Sequence, residues 1–142
     1  VERAYEVRGV KKDVNKAEMF KPILAAFKTL RSDAERKAPT WKKPKSKGKD
    51  YSCSLAKKQL SRSKTKSTFK SSFLGRNSWK IRKNRLGVPL ERTKPGYLFH
   101  KPKGQKWCQL TSYTLTEVYA GGGRYKKAKG VRFGFSRFQA CR

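Results

Sequence analysis

The sequence predicts a mainly β protein, with a small antiparallel β barrel or sandwich at its C-terminal end. One N-terminal amphipathic helix and a long, basic, irregular extension precede this β domain. Three observations support the prediction. Residues 91–142 contain short β-type runs separated by turn residues, and residues 15–38 carry apolar side chains at helical spacing. Residues 41–84 are rich in Lys and Arg and show no periodicity. The predicted boundaries are therefore 1–40, 41–84 and 85–142.

The N-terminal helix is predicted from a stripe with three- and four-residue steps, formed by Met19, Phe20, Ile23, Leu24, Phe27 and Leu30. Its start has two solutions. Asn15 and Glu18 could form a capping box, which places Pro22 inside the helix. Alternatively, the main helix starts near Lys21, with Pro22 in its first turn. In both cases the helix ends just before Pro39. We expect the stripe to pack on the β domain or on a neighbouring protein.

The basic extension has 16 Lys and Arg against the single acid Asp50 over residues 41–90. Such a segment buries too little apolar surface to offset chain entropy, so we expect it to be irregular until a partner orders it. We expect 61–85 in particular to be disordered in the free protein. Aromatic residues are interleaved with the charges, and each is a stacking face for a base or a packing anchor: Trp41, Tyr51, Phe69, Phe73 and Trp79. Trp41 and Trp79 are the better stacking candidates, and the extension is predicted to thread along RNA.

The β domain is predicted from runs rich in aromatic and β-branched residues. Strands are expected over 97–100, 105–110, 113–119 and 131–135, with turns at 101–104 and 121–123 and a basic loop over 124–130. The glycine triplet at 121–123 lacks the GK[ST] sequence of a phosphate-binding P-loop, so it indicates a hairpin turn. The aromatic residues of 97–135 are interpreted mostly as core.

The charge restricts the function. The chain has 38 Lys and Arg against nine Asp and Glu, a formal net charge of +29, and 35% hydrophobic residues. A polyanion should relieve the resulting self-repulsion, and the interleaved aromatic residues favour nucleic acid. One His and nine carboxylates leave little for acid–base chemistry, so we expect neither an enzyme nor a cofactor. The chain has no apolar run long enough to enter a membrane as a helix.

The three cysteines, Cys53, Cys108 and Cys141, have spacings unlike a CxxC pattern. A disulfide framework is therefore not expected, and a zinc site would lack ligands beyond Cys108 and His100. The expectation is thiols in a reducing compartment.

Four blocks in order carry a family resemblance. They are G-R-N-S followed by R-L-G-V (75–78 and 85–88), P-G-Y-L-F-H-K-P-K-G-Q-K-W (95–107), Y-T-L (113–115) and K-G-V-R-F (129–133). Together they resemble the L-twenty-seven family of bacterial-type large-subunit ribosomal proteins. Residues 1–60 have no counterpart in that family, and its long loops are shortened here, as in a divergent organellar member.

The resemblance implies a small antiparallel β barrel seated on large-subunit rRNA. It also implies a basic tail directed towards the peptidyl-transferase centre and the acceptor end of tRNA. Residues 15–38 would then contact neighbouring ribosomal proteins. We expect a mitochondrial ribosome, because the shortened loops and added extension fit an organellar member; the alternatives are plastid and cytosolic or nucleolar. A start at Val1 is what a cleaved mitochondrial or plastid presequence would leave, although simple disorder of the true N-terminus would leave it too. The alternative functions are a nucleolar or chromatin-type basic protein, an organellar ribosomal protein of another family, and a secreted cationic peptide acting on membranes.

The predicted RNA-binding residues are mainly cations that neutralise phosphates. They are Lys42, Lys43, Lys45, Lys47, Lys64, Lys66, Lys70, Arg76, Asn77, Ser78, Trp79, Arg82, Arg85, Lys101, Lys103, Lys106, Lys126 and Lys127. The backbone N–H groups of Gly75, Gly87 and Gly104 are further candidates, since no side chain blocks their approach to RNA. No catalytic or metal-binding residue is predicted.

Overall fold

The computed structural model describes residues 16–141, which divide into two compact units between Arg36 and Lys37. The first unit contains helix α1 (Lys16–Lys37) except for its last residue, Lys37, which is assigned to the second unit. Because α1 starts at Lys16, Pro22 lies inside the helix, and the start predicted near Lys21 is wrong. The end before Pro39 is confirmed, whereas the predicted Asn15 cap lies outside the described residues.

The apolar stripe of α1 faces solvent within its own unit. Its described members are between 50% and 65% exposed, and they are Phe20, Ile23, Leu24, Phe27 and Leu30. Ion pairs between residues three or four apart lie elsewhere on the helix, and Arg31 to Glu35 is one of them at 3.1 Å. Such exposed pairs stabilise a helix by only a few tenths of a kcal/mol. The exposed apolar stripe is therefore the more distinctive feature of the α1 surface.

The second unit is built on one antiparallel sheet of six strands. These are β1 (Ser67–Leu74), β2 (Lys80–Lys83), β3 (Pro89–Pro102), β4 (Cys108–Gly121), β5 (Arg124–Lys126) and β6 (Arg132–Gln139). Strands β3 and β4 form a long central hairpin. One half of this hairpin is flanked by β1 and β6, and the other half by β2 and β5. The mainly β fold class is confirmed. The sheet does not close on itself, so the predicted barrel is not formed.

The strands are longer than the sequence runs that predicted them. Strands β3 and β4 pair in unbroken register from Glu91 opposite Val118 to His100 opposite Gln109. The two runs predicted at 105–110 and 113–119 are therefore one strand, and part of the predicted basic loop is β5. The glycine triplet is a hairpin turn as predicted, since all three residues have positive φ, between 58° and 88°.

Helix α2 (Tyr51–Ser61) covers one face of the sheet, here called the helix face. Its N-cap Asp50 accepts a hydrogen bond from the Ser52 backbone N–H at 2.9 Å. Buried side chains recur every four residues along α2, at Ser52, Ala56 and Leu60. The resulting core comprises Ala56, Leu60, Leu98, Tyr113, Leu115 and Val131. Tyr113 crosses Gly96 so closely that a Cβ there would lie 2.2 Å from the ring, which requires glycine.

Residues 41–48, here called the strap, cross the opposite face of the sheet. This face is here called the strap face. Leu98 and Phe99 point to opposite faces because side chains alternate along a strand. Phe99 accordingly belongs to a second core, with Phe73, Cys108 and Leu110. The strap is held by the Gln139 Nε2 donor to the Trp41 carbonyl at 2.5 Å and by the Leu74 N–H to the Gly48 carbonyl at 2.9 Å.

The predicted irregular extension over 41–84 therefore contains a helix and two strands, α2, β1 and β2. The expectation of an irregular and disordered segment is wrong for these elements, and the sheet continues across the predicted boundary at 84/85. These elements form because of contacts with distant parts of the chain. Backbone pairing of β1 with β3, together with packing of Phe73 and of half-buried Phe69, contributes the burial that local composition does not show.

The cysteines also differ from expectation. Cys108 and Cys141 form a disulfide, while Cys53 is a free, half-buried thiol. Pairing of β6 with β4 places Gln139 opposite Cys108, which brings Cys141 beside it. The 33-residue separation gives no sign of this pairing in the sequence. The prediction of unpaired thiols is therefore wrong for these two residues.

Candidate nucleic-acid interface

The charge of the second unit is almost entirely positive. Residues 37–142 contain 29 Lys and Arg against three carboxylates. Each carboxylate is already paired, in the ion pairs Asp50–Lys94 at 3.2 Å, Glu91–Arg82 at 2.8 Å and Glu117–Arg92 at 2.5 Å. Within residues 37–141, the other cations have no carboxylate within reach. The surface of this unit therefore carries a positive field that attracts polyanions.

All of the predicted RNA-binding residues are exposed except Trp79. The structure does not gather them in one place but distributes them over three regions of the second unit. Lys42, Lys43, Lys45 and Lys47 lie on the strap. Lys64, Lys66, Lys70, Lys101, Lys103 and Lys106 lie on β1, in the connection before it, or around the β3–β4 turn. Arg76, Asn77, Ser78, Trp79, Arg82, Arg85, Lys126 and Lys127 lie along β2, β5 and their connections.

Three of these lysines surround one cleft of about 440 Å³ at the β3–β4 turn, here called the lysine cleft. The Lys103 N–H donates to the Lys66 carbonyl at 2.8 Å, which ties the turn to the residue preceding β1. Lys66, Lys101 and Lys103 consequently line the same cleft, although 37 residues separate the first from the last in sequence.

The lysine cleft has the donor set of a phosphate site. Ser67, Thr68 and Gln105 line it beside the three lysines, and neither Asp nor Glu does. Three neighbouring cations repel one another, and an anion placed between them relieves the repulsion while accepting several charge-assisted hydrogen bonds.

Trp79 differs from the other predicted residues because its ring packs against cations of its own chain. The Arg92 guanidinium carbon lies 4.2 Å from the Trp79 ring centroid and 4.4 Å from that of Tyr125. The Lys94 ammonium lies 4.3 Å from the Trp79 centroid. Trp79 is half-buried in this arrangement, so it stabilises the fold.

Arg92 also belongs to a hydrogen-bond network around Glu117, whose side chain is only 2% exposed. Its two oxygens accept hydrogen bonds from Arg92 and from the Tyr51 hydroxyl. Burial, reinforced by the bond to Glu117, raises the pKa of Tyr51 to about 12. For Asp50, burial alone would raise the pKa, but hydrogen bonds from Ser52 and Lys94 outweigh it and hold the pKa below its usual value.

His100 has a structural position. It is 6% exposed, and its Nε2 lies 2.9 Å from the Thr111 hydroxyl, while Nδ1 is buried without a partner among residues 16–141. Burial lowers the pKa of His100. Cys108, its only suggested companion as a ligand, is held in the disulfide. In the described part of the chain, no three His, Cys, Asp or Glu side chains converge on a metal position.

The buried imidazole makes stability pH-dependent. Its pKa is lower in the folded than in the unfolded state, so the unfolded state binds more protons as the pH falls below about 6.5. We expect the free energy of unfolding to fall by at most about 1.4 kcal/mol per pH unit in that range. Urea unfolding at about pH 7.5 and about pH 5.5 measures this change. His100→Gln should remove most of this pH dependence. If the variant loses as much stability as the wild type between the two pH values, His100 is not its cause.

Two of the three candidate glycine N–H groups are used by the fold. The Gly75 N–H donates to the Pro95 carbonyl and the Gly87 N–H to the Asn84 carbonyl, each at 3.0 Å. Gly104 is exposed on the lysine cleft, so it alone remains a candidate for close approach of RNA. Ser67, Thr68 and Gln105 were not predicted, because only the folded hairpin places them beside the lysines.

Comparison with protein families, with curated proteins and with solved structures finds no match to this chain. Neither described helix combines the length and hydropathy that crossing a membrane requires.

Proposed function

We propose that the protein is a non-catalytic, rRNA-binding constituent of the large subunit of a mitochondrial ribosome. The observation that carries the proposal is the folded, almost exclusively cationic surface of residues 37–141, whose three acids are all paired internally. Lys and Arg on such a surface neutralise phosphates and release counterions. The resemblance to the L-twenty-seven ribosomal proteins supports this choice among polyanions.

A folded sheet distinguishes this proposal from a disordered chromatin-type tail. The cations are fixed on strands and turns, as on the lysine cleft, so they present a defined pattern to an RNA of defined shape. Helix α1 supports the same assembly. Its exposed stripe is flanked by charges of both signs, such as Lys21 and Glu18. This mixture favours a protein neighbour over an anionic membrane, which a uniformly basic helix would fit.

The resemblance implies a contact with tRNA, and we assign fewer residues to that contact than the resemblance does. The tail would correspond to residues 64–78, but Ser67–Leu74 is strand β1, paired with β3. Outside β1, this segment keeps the exposed Lys64 and Lys66 before the strand and Arg76, Asn77 and Ser78 after it, so fewer residues are free to extend towards tRNA. We therefore assign the main role to rRNA. The proposed location follows from the resemblance alone, because the disulfide removes the indication of a reducing compartment.

Sedimentation of the tagged chain from a lysate of its own cells tests the proposal. We expect it to cofractionate with the large ribosomal subunit and to be released by high salt, as phosphate-mediated binding requires. Purified mitochondria should contain the same complex. Cofractionation with chromatin or with membranes, or a chain that sediments as free protein at low salt, would contradict the proposal.

A further inference from the structure

A second cleft lies on the strap face and differs in chemistry from the lysine cleft. It measures about 390 Å³ and is here called the aromatic cleft. Tyr97 and Leu110 from the central hairpin, Phe135 and Arg137 from β6, and Trp41 from the strap line it. Its size lies at the lower end of the range for small-ligand sites, which suits one planar group.

Phe135 owes its position to a β-bulge. Thr111 pairs with Ser136, but two residues further along β4, Tyr113 pairs with Phe133, so β6 has one extra residue there. Bulges redirect side chains and recur beside functional sites. Here the Phe135 side chain is 92% exposed, although the sequence interpretation placed it in the core. A phenyl ring fully in water beside a cleft has an unused stacking face.

Arg137 and Trp41 form the other wall of the aromatic cleft. The Arg137 guanidinium carbon lies 4.3 Å from the Trp41 ring centroid, and its Nη2 donates to the Lys42 carbonyl at 2.9 Å. A guanidinium carries five N–H donors and only one of them is used in the bond to Lys42, so Arg137 has donors left for a ligand in the cleft.

We propose that the aromatic cleft binds one unstacked base of an RNA single strand. The inference rests on the proposed RNA-binding function and adds a ligand class to it. Phe135 supplies a stacking face, Arg137 a donor for a base carbonyl or ring nitrogen, and the exposed strap residues Lys42 and Lys45 the contacts to flanking phosphates. This combination of aromatic ring, donor and cations is typical of sites for single-stranded RNA.

A base fits the aromatic cleft better than a side chain from a protein partner. A protein partner that placed an apolar side chain in the cleft would also place the polar groups around that side chain on the strap. Lys42, Lys43 and Lys45 are all exposed there. No carboxylate of residues 37–141 is left unpaired to balance those lysines. A nucleotide supplies the ring and the neutralising phosphate in one molecule, so the charge around the cleft favours RNA.

Binding of the full chain to a single-stranded oligoadenylate tests the proposal, with a linear inorganic polyphosphate of matching length as the base-free probe. Phe135→Ala should weaken oligoadenylate binding about 5- to 140-fold, the range for losing one stacked base. Binding of polyphosphate should not change, and neither should the salt slope. Because Phe135 is almost fully exposed, this variant leaves the core intact.

Three further variants distinguish stacking from simple apolar contact. Phe135→Trp should retain affinity, whereas Phe135→Leu should lose it as Phe135→Ala does, because leucine has bulk but no ring. Leu86→Ala, at a side chain 88% exposed in another turn, is the matched control and should have no effect.

The outcomes separate this inference from the proposed function. Full affinity for oligoadenylate in Phe135→Leu would show that apolar bulk at this position suffices without a stacked base, and would overturn the inference. Wild-type affinity in Phe135→Ala would also overturn it, while cofractionation with the large subunit would leave the ribosomal proposal intact. Loss in Phe135→Ala from a chain that does not cofractionate with ribosomes would support the base site and contradict only the ribosomal role.

Discussion

Replacing Arg92 with Ala should lower the free energy of unfolding by about 3–5 kcal/mol, the usual cost of removing one partner of a buried ion pair. Glu117, whose side chain is 2% exposed, would lose its cationic partner. The rings of Trp79 and Tyr125 would also lose the guanidinium that lies within 4.4 Å of both centroids. Urea unfolding of the wild type and of Arg92→Ala measures this loss of stability. A shift in the unfolding midpoint without a change in slope identifies it as a change in the free energy of unfolding.

Two comparisons identify the buried charge as the cause. Arg82→Ala removes a pair with Glu91 in which the arginine side chain is 63% exposed, so we expect a much smaller loss than in Arg92→Ala. Adding Glu117→Gln to Arg92→Ala removes the unpaired charge and should restore part of the lost stability. If Arg92→Ala and Arg82→Ala lose the same amount, Glu117 is solvated after the substitution and the explanation fails.

The sequence predicted the features that depend on local pattern. The apolar period predicted α1, Pro39 predicted its end, and the glycine triplet predicted the β4–β5 turn, since only glycine adopts three successive positive φ angles without strain. The mainly β class followed from residues 91–142. These predictions required no knowledge of which segments meet.

The missed features depend on contacts between distant segments. Helix α2 has a local signal, with Asp50 as the cap and buried positions every four residues from Ser52, but the surrounding lysines hide it. Strand β1 has no local signal, because its partner β3 lies about thirty residues further along the chain. The same limit applies to the sites. The exposed lysines were predicted singly, while the lysine cleft and the bulge at Phe135 required the register of β6, β4 and β3.

Replacing Lys66, Lys101 and Lys103 together with Gln should weaken RNA binding about 100- to 500-fold at about 0.1 M salt. Each neutralised phosphate contributes roughly 0.7 to 0.9 to the slope of log affinity against log salt concentration. Loss of three contacts should therefore reduce the magnitude of that slope by about two to three, and the affinities of variant and wild type should converge towards about 1 M salt. Titration of large-subunit rRNA fragments at several salt concentrations measures both quantities.

The matched control is the substitution of Lys16, Lys21 and Lys28 with Gln, which removes the same charge from α1. If RNA responds only to net charge, both triple variants will lose the same slope, and the lysine cleft has no special role. If the cleft binds phosphates as proposed, the α1 variant will keep the wild-type slope. The cleft variant should also retain the wild-type urea midpoint, because its three side chains are exposed and form no ion pair with the described carboxylates. A lowered midpoint would show that the lost affinity reflects unfolding of the β3–β4 turn.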